Sequence, residues 1–282
     1  MTAKVAVVEL EPNVRQSFSQ ALQLIGGIDD LNTPGRSVVI KVGVFDPKAE
    51  HHTTVEVADA IINSFNKAPQ IFLAESENYR GKALERLQKW KTLFTGRVSP
   101  FDLSGDANTK QVKVADEKIG LPHVLFKPNV FVSTHVLRTF EKGSVLKNLL
   151  GLIPDGKKVR FHKKLEATLL DLYGAVGGID LAVLDGTYIS TGVAPSSQRK
   201  KANVLVVGRD AVAVEAVGYT LLGIDPEAVP VIREAMKRGI GEGNIEKIQV
   251  LGTQVESLRE KLAQLLKTPK KKSKTSKIKK KK

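Results

Sequence analysis

The 282-residue sequence contains no cysteine. Within it, disulfides, thiolate nucleophiles, zinc–sulfur sites and cysteine-ligated iron–sulfur clusters are therefore excluded. No apolar run reaches the roughly 18–20 residues that a membrane-spanning helix needs. The apolar stretch at the N-terminus is shorter than that of a secretory signal peptide and lacks a cleavage pattern. We therefore expect a cytoplasmic protein that does not enter a membrane.

Aromatic residues are also scarce, at 5% of the chain. Aliphatic side chains must consequently fill the interior, and few aromatic rings are available for stacking on nucleic-acid bases. The overall hydrophobic content of 41% is ordinary for a globular protein, and the length is sufficient for a substantial core.

The net charge of +14 is distributed unevenly. Residues 267–282 contain ten lysines and no acidic residue, which leaves about +4 on residues 1–266. Such a segment cannot bury enough apolar surface to offset the entropy of ordering, so we predict a disordered tail after a folded domain. Its lysines can neutralise the phosphates of nucleic acid or the charges of another polyanion. Non-specific contacts of this kind are the favoured interpretation, because no nucleic-acid-reading module accompanies the tail.

Short β-branched runs alternate with amphipathic helical patterns through most of residues 1–266. This rhythm predicts an α/β fold in which a mainly parallel or mixed sheet is flanked by helices, with a two-lobed, Rossmann-like architecture. A cluster of Ser, Pro and Gly also allows a lobe boundary near residues 100–125. The clearest strands are predicted at residues 5–10, 38–44, 71–74, 181–184, 202–207 and 245–251, and the clearest helices at 14–24, 82–94, 211–222 and 255–266.

Polar residues interrupt this apolar pattern where strands end. Lys41 lies inside an apolar strand, and Glu75 and Asp185 follow two others. Because parallel strands border a ligand crevice at their carboxyl ends, these side chains are candidates for one site. Helix capping is the favoured explanation of any one Asp or Ser taken alone, including Asp210 at the start of an apolar helix. Capping does not explain Lys41, since a buried lysine needs a partner or a cavity.

A second group of polar residues follows a glycine. Lys147 and Asn148 combine a cation with an amide, which suits a carboxylate or phosphate ligand, although a solvated turn has equal weight. His162 comes shortly afterwards and can serve in proton transfer. The stretch at 151–158 is not a P-loop, because Lys158 replaces the Ser or Thr that would hold magnesium.

The carboxylates allow one metal site. Glu75, Asp185 and Asp210 supply the oxygen ligands that a divalent ion such as magnesium prefers. A divalent metal therefore stays open as a cofactor, and the sequence leaves the cofactor otherwise unknown.

Taken in order, the polar motifs resemble those of the DUF362 proteins, a widespread group of uncharacterised function. The resemblance spans nearly all of residues 36–252 and implies one α/β domain over residues 1–266. Many relatives add a cysteine-rich ferredoxin-like module, which this chain lacks. The motifs that carry the resemblance are residues 146–154, His162, Asp171-Leu172, residues 183–186, Gly192, Pro195, residues 208–214 and residues 239–241.

The sequence departs from the family pattern in a late helix, where Val214-Glu215 stands in place of the usual Val-Asp, and at two earlier places. Lys41-Val42-Gly43 stands where members typically carry Lys-Pro-Asn. Arg138-Thr139-Phe140 stands where they often carry Lys-Thr-His, so the cation is kept and the histidine is lost, unless the nearby His135 replaces it. The two earlier departures bear on whether a family-wide chemistry is retained.

Two functions follow from this pattern. In the first, a small anionic ligand is bound by Lys41, Arg138, Lys147, Asn148 and Asp210, and is transformed by acid–base groups drawn from His162, Asp185 and Glu75. In the second, the protein is a non-catalytic binding or scaffold protein whose tail contacts nucleic acid or another polyanion. The pattern specifies neither a reaction nor an oligomeric state.

Overall fold

The computed structural model of the protein describes residues 2–192 and 198–267. Pro195 and all of the predicted tail except Lys267 lie outside the described residues. The predicted α/β architecture is confirmed, because a mostly parallel eight-stranded sheet carries helices on both faces.

The large sheet has the order β10-β1-β9-β8-β7-β2-β3-β4. Its strands are β1 (Ala3–Glu9), β2 (Val38–Lys41), β3 (Ile71–Glu75), β4 (Val98–Asp102), β7 (Val130–Arg138), β8 (Leu181–Thr191), β9 (Gln198–Gly208) and β10 (Ile248–Gly252).

The direction of the strands determines where polar side chains collect. β9 is antiparallel to both of its neighbours, β8 and β1, whereas every other pairing in the sheet is parallel. The remaining seven strands therefore run the same way and end at one edge, which we call the carboxyl edge. The loop after β9 emerges at the opposite edge.

Helices cover the two faces of the sheet separately. Because side chains alternate along a strand, Ile40 packs under α1 and α2 while its neighbour Val39 packs into the core on the other face. The first face carries α1 to α3, and the second carries α4 to α7. The helices are α1 (Val14–Leu24), α2 (Val55–Ser64), α3 (Ala83–Leu87), α4 (Leu165–Ala175), α5 (Ala211–Leu221), α6 (Pro230–Lys237) and α7 (Val255–Lys267).

A hairpin lies apart from the large sheet. Its strands are β5 (Thr109–Val114) and β6 (Glu117–Pro122), which pair only with each other. Val114 and Leu121 are fully buried and join the core beside α4. The hairpin occupies the stretch in which we placed a lobe boundary, and that boundary stays a prediction.

Two predicted elements differ from the observed ones. The strand predicted to end before Asp185 continues as β8 to Thr191, because a local irregularity after Gly186 lets it keep pairing with β9. The single helix predicted over residues 82–94 ends at Leu87 and continues as a 3₁₀ helix over Gln88–Leu93. The 3₁₀ winding buries Trp90 in the core shared with α2.

None of the helices in the described residues is both long and apolar enough to cross a bilayer.

Asp210 provides a test of helix capping in this fold. Its Oδ1 accepts hydrogen bonds from the N–H groups of Val212 and Ala213, and its Oδ2 accepts one from Glu242. We expect Asp210→Ala to lower the free energy of unfolding by about 1–2 kcal/mol, measured by urea denaturation, because three donors lose their acceptor. Asp225→Ala is the control, since exposed Asp225 accepts a single bond, from Glu227, and should cost only ~0.5 kcal/mol. Equal losses in the two variants would contradict this account of Asp210.

Candidate functional site

A buried ion pair joins β2 to β3 at the carboxyl edge. Lys41 is 1% exposed and Glu75 is 3% exposed, and Nζ of Lys41 donates to Oε1 of Glu75 at 2.6 Å. The same carboxylate oxygen accepts the N–H of Val44 at 2.9 Å. Burial lowers the pKa of Lys41, and the charge of Glu75 raises it in opposition. The lysine that interrupts an apolar strand is therefore paired, as its burial requires.

Asn148 links this pair to the segment after β7. Its Oδ1 accepts a hydrogen bond from Nζ of Lys41 at 3.1 Å, while its Nδ2 donates to the carbonyl of Lys41 at 2.9 Å. Nδ2 also lies within 3.2 Å of Oγ of Ser133 and of the carbonyl of Thr134. One amide thus connects β2, β7 and the 3₁₀ helix Lys147–Leu152.

The space around Lys41 and Glu75 is tightly filled, by Gly151 on one side and by the cation of Arg86 on another. A Cβ on Gly151 would lie 2.6 Å from Nζ of Lys41, so a side chain there would displace the ammonium. Arg86 approaches Glu75 from α3 at 3.7 Å and donates to the carbonyls of Val44 and Ser76. Lys41, Glu75, Arg86 and Asn148, which we call the buried network, therefore satisfy one another and hold the strand ends together.

Asp185 lies at the same edge on β8 and is fully buried. Its Oδ2 accepts hydrogen bonds from the N–H and the Oγ1 of Thr54, at 2.6 and 2.7 Å. Its Oδ1 accepts the N–H of Thr187 at 2.9 Å. Since Thr54 is the N-cap of α2, Asp185 attaches the start of that helix to the sheet.

Cations gather beyond the end of β7. The guanidinium of Arg138 and the ammonium of Lys142 lie 5.6 and 5.7 Å from the centre of the Phe140 ring. Arg138 also donates from Nε, at 3.0 Å, and from an Nη to the carbonyl of Gly143. These contacts hold two positive groups at one turn.

Lys147 and His162 complete this group. Lys147 is half-buried, and no described residue accepts a hydrogen bond from its Nζ or forms an ion pair with it. Burial and the charges of Arg138 and Lys142 lower the pKa of Lys147 to about 7, against an opposing effect of Glu166. The pKa of exposed His162 is lowered by desolvation and then by the charges of Lys147 and Lys142. We call Arg138, Lys142, Lys147 and His162 the cationic cluster.

Helix α5 holds the turn that carries the cluster. Oε1 of Glu215 accepts the N–H groups of Ser144 and Leu146 at 2.5 and 2.9 Å. The hydroxyl of Tyr219 accepts the N–H of Gly143 at 2.9 Å and donates to the carbonyl of Phe140 at 2.7 Å. Burial raises the pKa of both Glu215 and Tyr219. These two side chains position the cluster without belonging to it.

His135 lies between the buried network and the cationic cluster. Its ring lies so close to Gly43 that a Cβ on this glycine would be only 2.4 Å from the ring. The backbone of Gly43 has a φ of 68°. Nδ1 accepts the N–H of Val136, so the neutral ring carries its proton on Nε2. Burial, Arg138 and Lys41 lower the pKa of His135 well below its usual range.

The structure thus divides the predicted site residues into groups. Lys41, Glu75 and Asn148 form one network, and Arg138, Lys147 and His162 form the adjacent cluster. Asp185 lies at the same edge, where it is bonded to Thr54 and Thr187. Asp210 lies at the opposite edge, because it follows the antiparallel strand β9.

Asp171, one of the motif residues, accepts the N–H of Ala115 and pairs with Arg238. Among residues 2–192 and 198–267, no three His, Asp or Glu side chains are close enough to hold a metal ion. The predicted magnesium site at Glu75, Asp185 and Asp210 is therefore wrong, since β9 carries Asp210 away from the other two.

Sequence reasoning missed several residues that matter here. Lys142 lies beside Gly143, shortly before Lys147-Asn148, and its positive charge was only a weak indication that it belongs to the site. Thr54 gave no sign of its bonds to Asp185 beyond the capacity of a threonine to cap a helix. Arg86 and Tyr219 gave no signal at all, because each meets the site from a distant segment of the chain.

Comparison with protein families now adds to this geometry. The family model described as "Domain of unknown function (DUF362)" matches residues 38–220, well over half of the chain. The chain belongs to the DUF362 family. No curated protein matches it.

The matched DUF362 region contains the whole candidate site. It begins at β2 with Lys41 and ends on α5, after Glu215 and Tyr219. The outer strands β1 and β10 lie outside the match, as does the Gly239–Gly241 motif that we had counted with the family. Lacking cysteine, this DUF362 chain has no cysteine-ligated iron–sulfur cluster.

The buried network provides a test of its structural role. We expect Lys41→Met to lower the free energy of unfolding by about 3–5 kcal/mol, because Glu75 would remain buried without its closest partner. Adding Glu75→Gln should restore much of this loss, since the neutral amide can still accept the N–H of Val44. Urea denaturation of both variants measures the difference. If the single and double variants are equally unstable, the pairing does not account for the burial of Lys41.

Proposed function

We propose that this DUF362 protein binds a small organic anion, a carboxylate or a phosphate ester, at the cationic cluster. The observation that carries the proposal is the side chain of Lys147, which is half-buried among positive charges without an acceptor. Arg138 is partly compensated by the nearby charge of Glu215. For Lys147, the opposing charge of Glu166 is outweighed by burial and by the charges of Arg138 and Lys142. An anion bound here would therefore relieve the repulsion between these cations.

The place of the cluster supports a ligand site. Arg138 is the last residue of β7, which lies between β2 and β8 in the sheet, and parallel sheets border their ligands at the carboxyl ends of such strands. Arg138 offers a planar guanidinium that suits carboxylate and phosphate oxygens, and Lys147 adds a point charge. The turn that carries them is anchored to α5, so the cations are organised before a ligand arrives.

The roles of the other predicted residues follow from their contacts. Lys41, Asn148 and Glu75 already bond to one another, and Asp185 is occupied by Thr54 and Thr187. In this proposal they position the strand ends and do not contact the anion. Proton transfer, where the protein carries out chemistry, would fall to His162 or Lys147. This arrangement favours binding over carboxylate-based acid–base chemistry.

Lys147→Gln tests the site directly. We expect it to weaken the binding of lactate and methyl phosphate by about tenfold, because one charged hydrogen bond to the anion is lost. Saturation-transfer NMR on the methyl groups of these probes measures the affinity. Affinity for lactate should also fall several-fold as the pH rises from about 6 to about 8, because Lys147 loses its charge around its pKa of about 7.

Two control variants make this result specific. Lys118→Gln removes the same charge from an exposed position on the hairpin and should leave binding unchanged. Lys147→Arg keeps the positive charge and should bind lactate with no loss between these pH values. An equal loss in the Lys118 and Lys147 variants would show that only the net charge attracts the anions, and the proposal would fail.

A second candidate function concerns the lysine-rich tail. Ten lysines in residues 267–282 favour contacts with nucleic acid or another polyanion, independently of the cationic cluster. We expect truncation after Leu266 to abolish the binding of a duplex oligonucleotide, and the full chain to lose affinity steeply with added salt. Fluorescence anisotropy over a salt series measures both. Binding that survives the truncation would locate it on residues 1–266.

A further inference from the structure

Lys147 differs from two other lysines near the carboxyl edge, Lys41 and Lys158, because its amine has no acceptor among the described residues. Nζ of Lys41 is bonded to Glu75 and Asn148, and Nζ of half-buried Lys158 donates to the carbonyl of Glu77. Nζ of Lys147 has no such acceptor among the described residues, and its side chain is neither fully buried nor free in solvent. An amine in this setting is available to a ligand that reaches the turn.

The surroundings of Lys147 also suit a nucleophile. An amine attacks carbon only in its neutral form, and neighbouring cations together with partial burial favour that form. Arg138 and Lys142, both held against the Phe140 ring, supply those cations. Arg138 donates to the carbonyl of Gly143, and a Cβ on that glycine would lie 3.2 Å from the backbone nitrogen of Lys147. Consistent with this, the pKa of Lys147 is lowered to about 7, so that near neutral pH a large fraction of the amine is unprotonated.

We propose that Lys147 forms an imine with an oxo acid, a substrate that carries a carboxylate and a ketone or aldehyde. This inference rests on the proposed anion site, because Arg138 and Lys142 would hold the carboxylate while Lys147 meets the carbonyl carbon. It adds a substrate class and a covalent step to that site. The same cations thereby bind the substrate and keep the amine neutral.

The step balances without any further reactant. The lone pair of Nζ forms a bond to the carbonyl carbon, and the oxygen takes up a proton to give a carbinolamine. Loss of that oxygen as water then leaves a protonated imine between the substrate and Lys147. His162, exposed beside Lys147, is placed to supply and receive protons in the dehydration. Nothing is oxidised or reduced.

Reductive trapping tests the inference on the full-length protein. Incubation with pyruvate and cyanoborohydride should convert the imine to a stable secondary amine. Peptide mass spectrometry should then locate one dominant adduct on Lys147, heavier by the mass of pyruvate less one oxygen atom. Acetone at the same concentration should label Lys147 far less, because it lacks the carboxylate. Excess lactate should slow the labelling by pyruvate, because it occupies the anion site without a carbonyl.

Matched variants separate the covalent step from anion binding. Lys147→Arg keeps the charge but cannot form the imine, so it should abolish the dominant adduct while lactate still binds. Lys158→Arg removes the other half-buried lysine whose pKa is lowered, to about 8, and should leave the adduct on Lys147 intact.

Three results would overturn the inference. Labelling spread evenly over the exposed lysines would show that Lys147 has no special reactivity. Absence of any adduct while lactate still binds would refute the imine and leave the anion site standing. If lactate does not bind either, the proposed function fails together with the inference.

Discussion

The ion pair between Lys41 and Glu75 is the interaction on which the carboxyl edge depends. Two opposite charges that are almost completely buried must stay together, because either one alone would be strongly destabilising in the core. The pair fixes the ends of β2 and β3 relative to each other. Through Asn148 it also fixes the segment that follows β7.

This anchoring determines where Lys147 is directed. Lys147 and Asn148 are adjacent in a 3₁₀ helix, in which successive side chains are ~120° apart. With Asn148 held against the strand ends, Lys147 must project in another direction, toward the cations beyond β7. Glu215 and Tyr219 hold the preceding turn from the other side. The buried network, whose members are bonded to one another, thus supports the neighbouring cationic cluster. Only the cationic cluster, whose bonding is incomplete, is suited to a ligand.

Much of the fold was predictable because it depends on local patterns. The apolar runs and helical periodicities located most strands and helices within a few residues, and Asp210 was correctly seen as a helix cap. The predicted bounds were wrong where contacts with distant segments determine the secondary structure. β8 continues past Asp185 because β9 pairs with it, and the helix after Lys82 changes its winding because Trp90 packs into the core.

For the site, the sequence by itself determined the chemistry that is available: no thiols, a lysine within an apolar strand, and a Lys-Asn pair after a glycine. Only the tertiary structure decided how these groups are used. It paired Lys41 with Glu75, bonded Asp185 to Thr54, and left Lys147 without an acceptor among the described residues. Strand direction separated Asp210 from the rest, since β9 alone runs against the other strands. The physical reason is that burial and partners, which set the charge state and reach of a side chain, come from segments far apart in the chain.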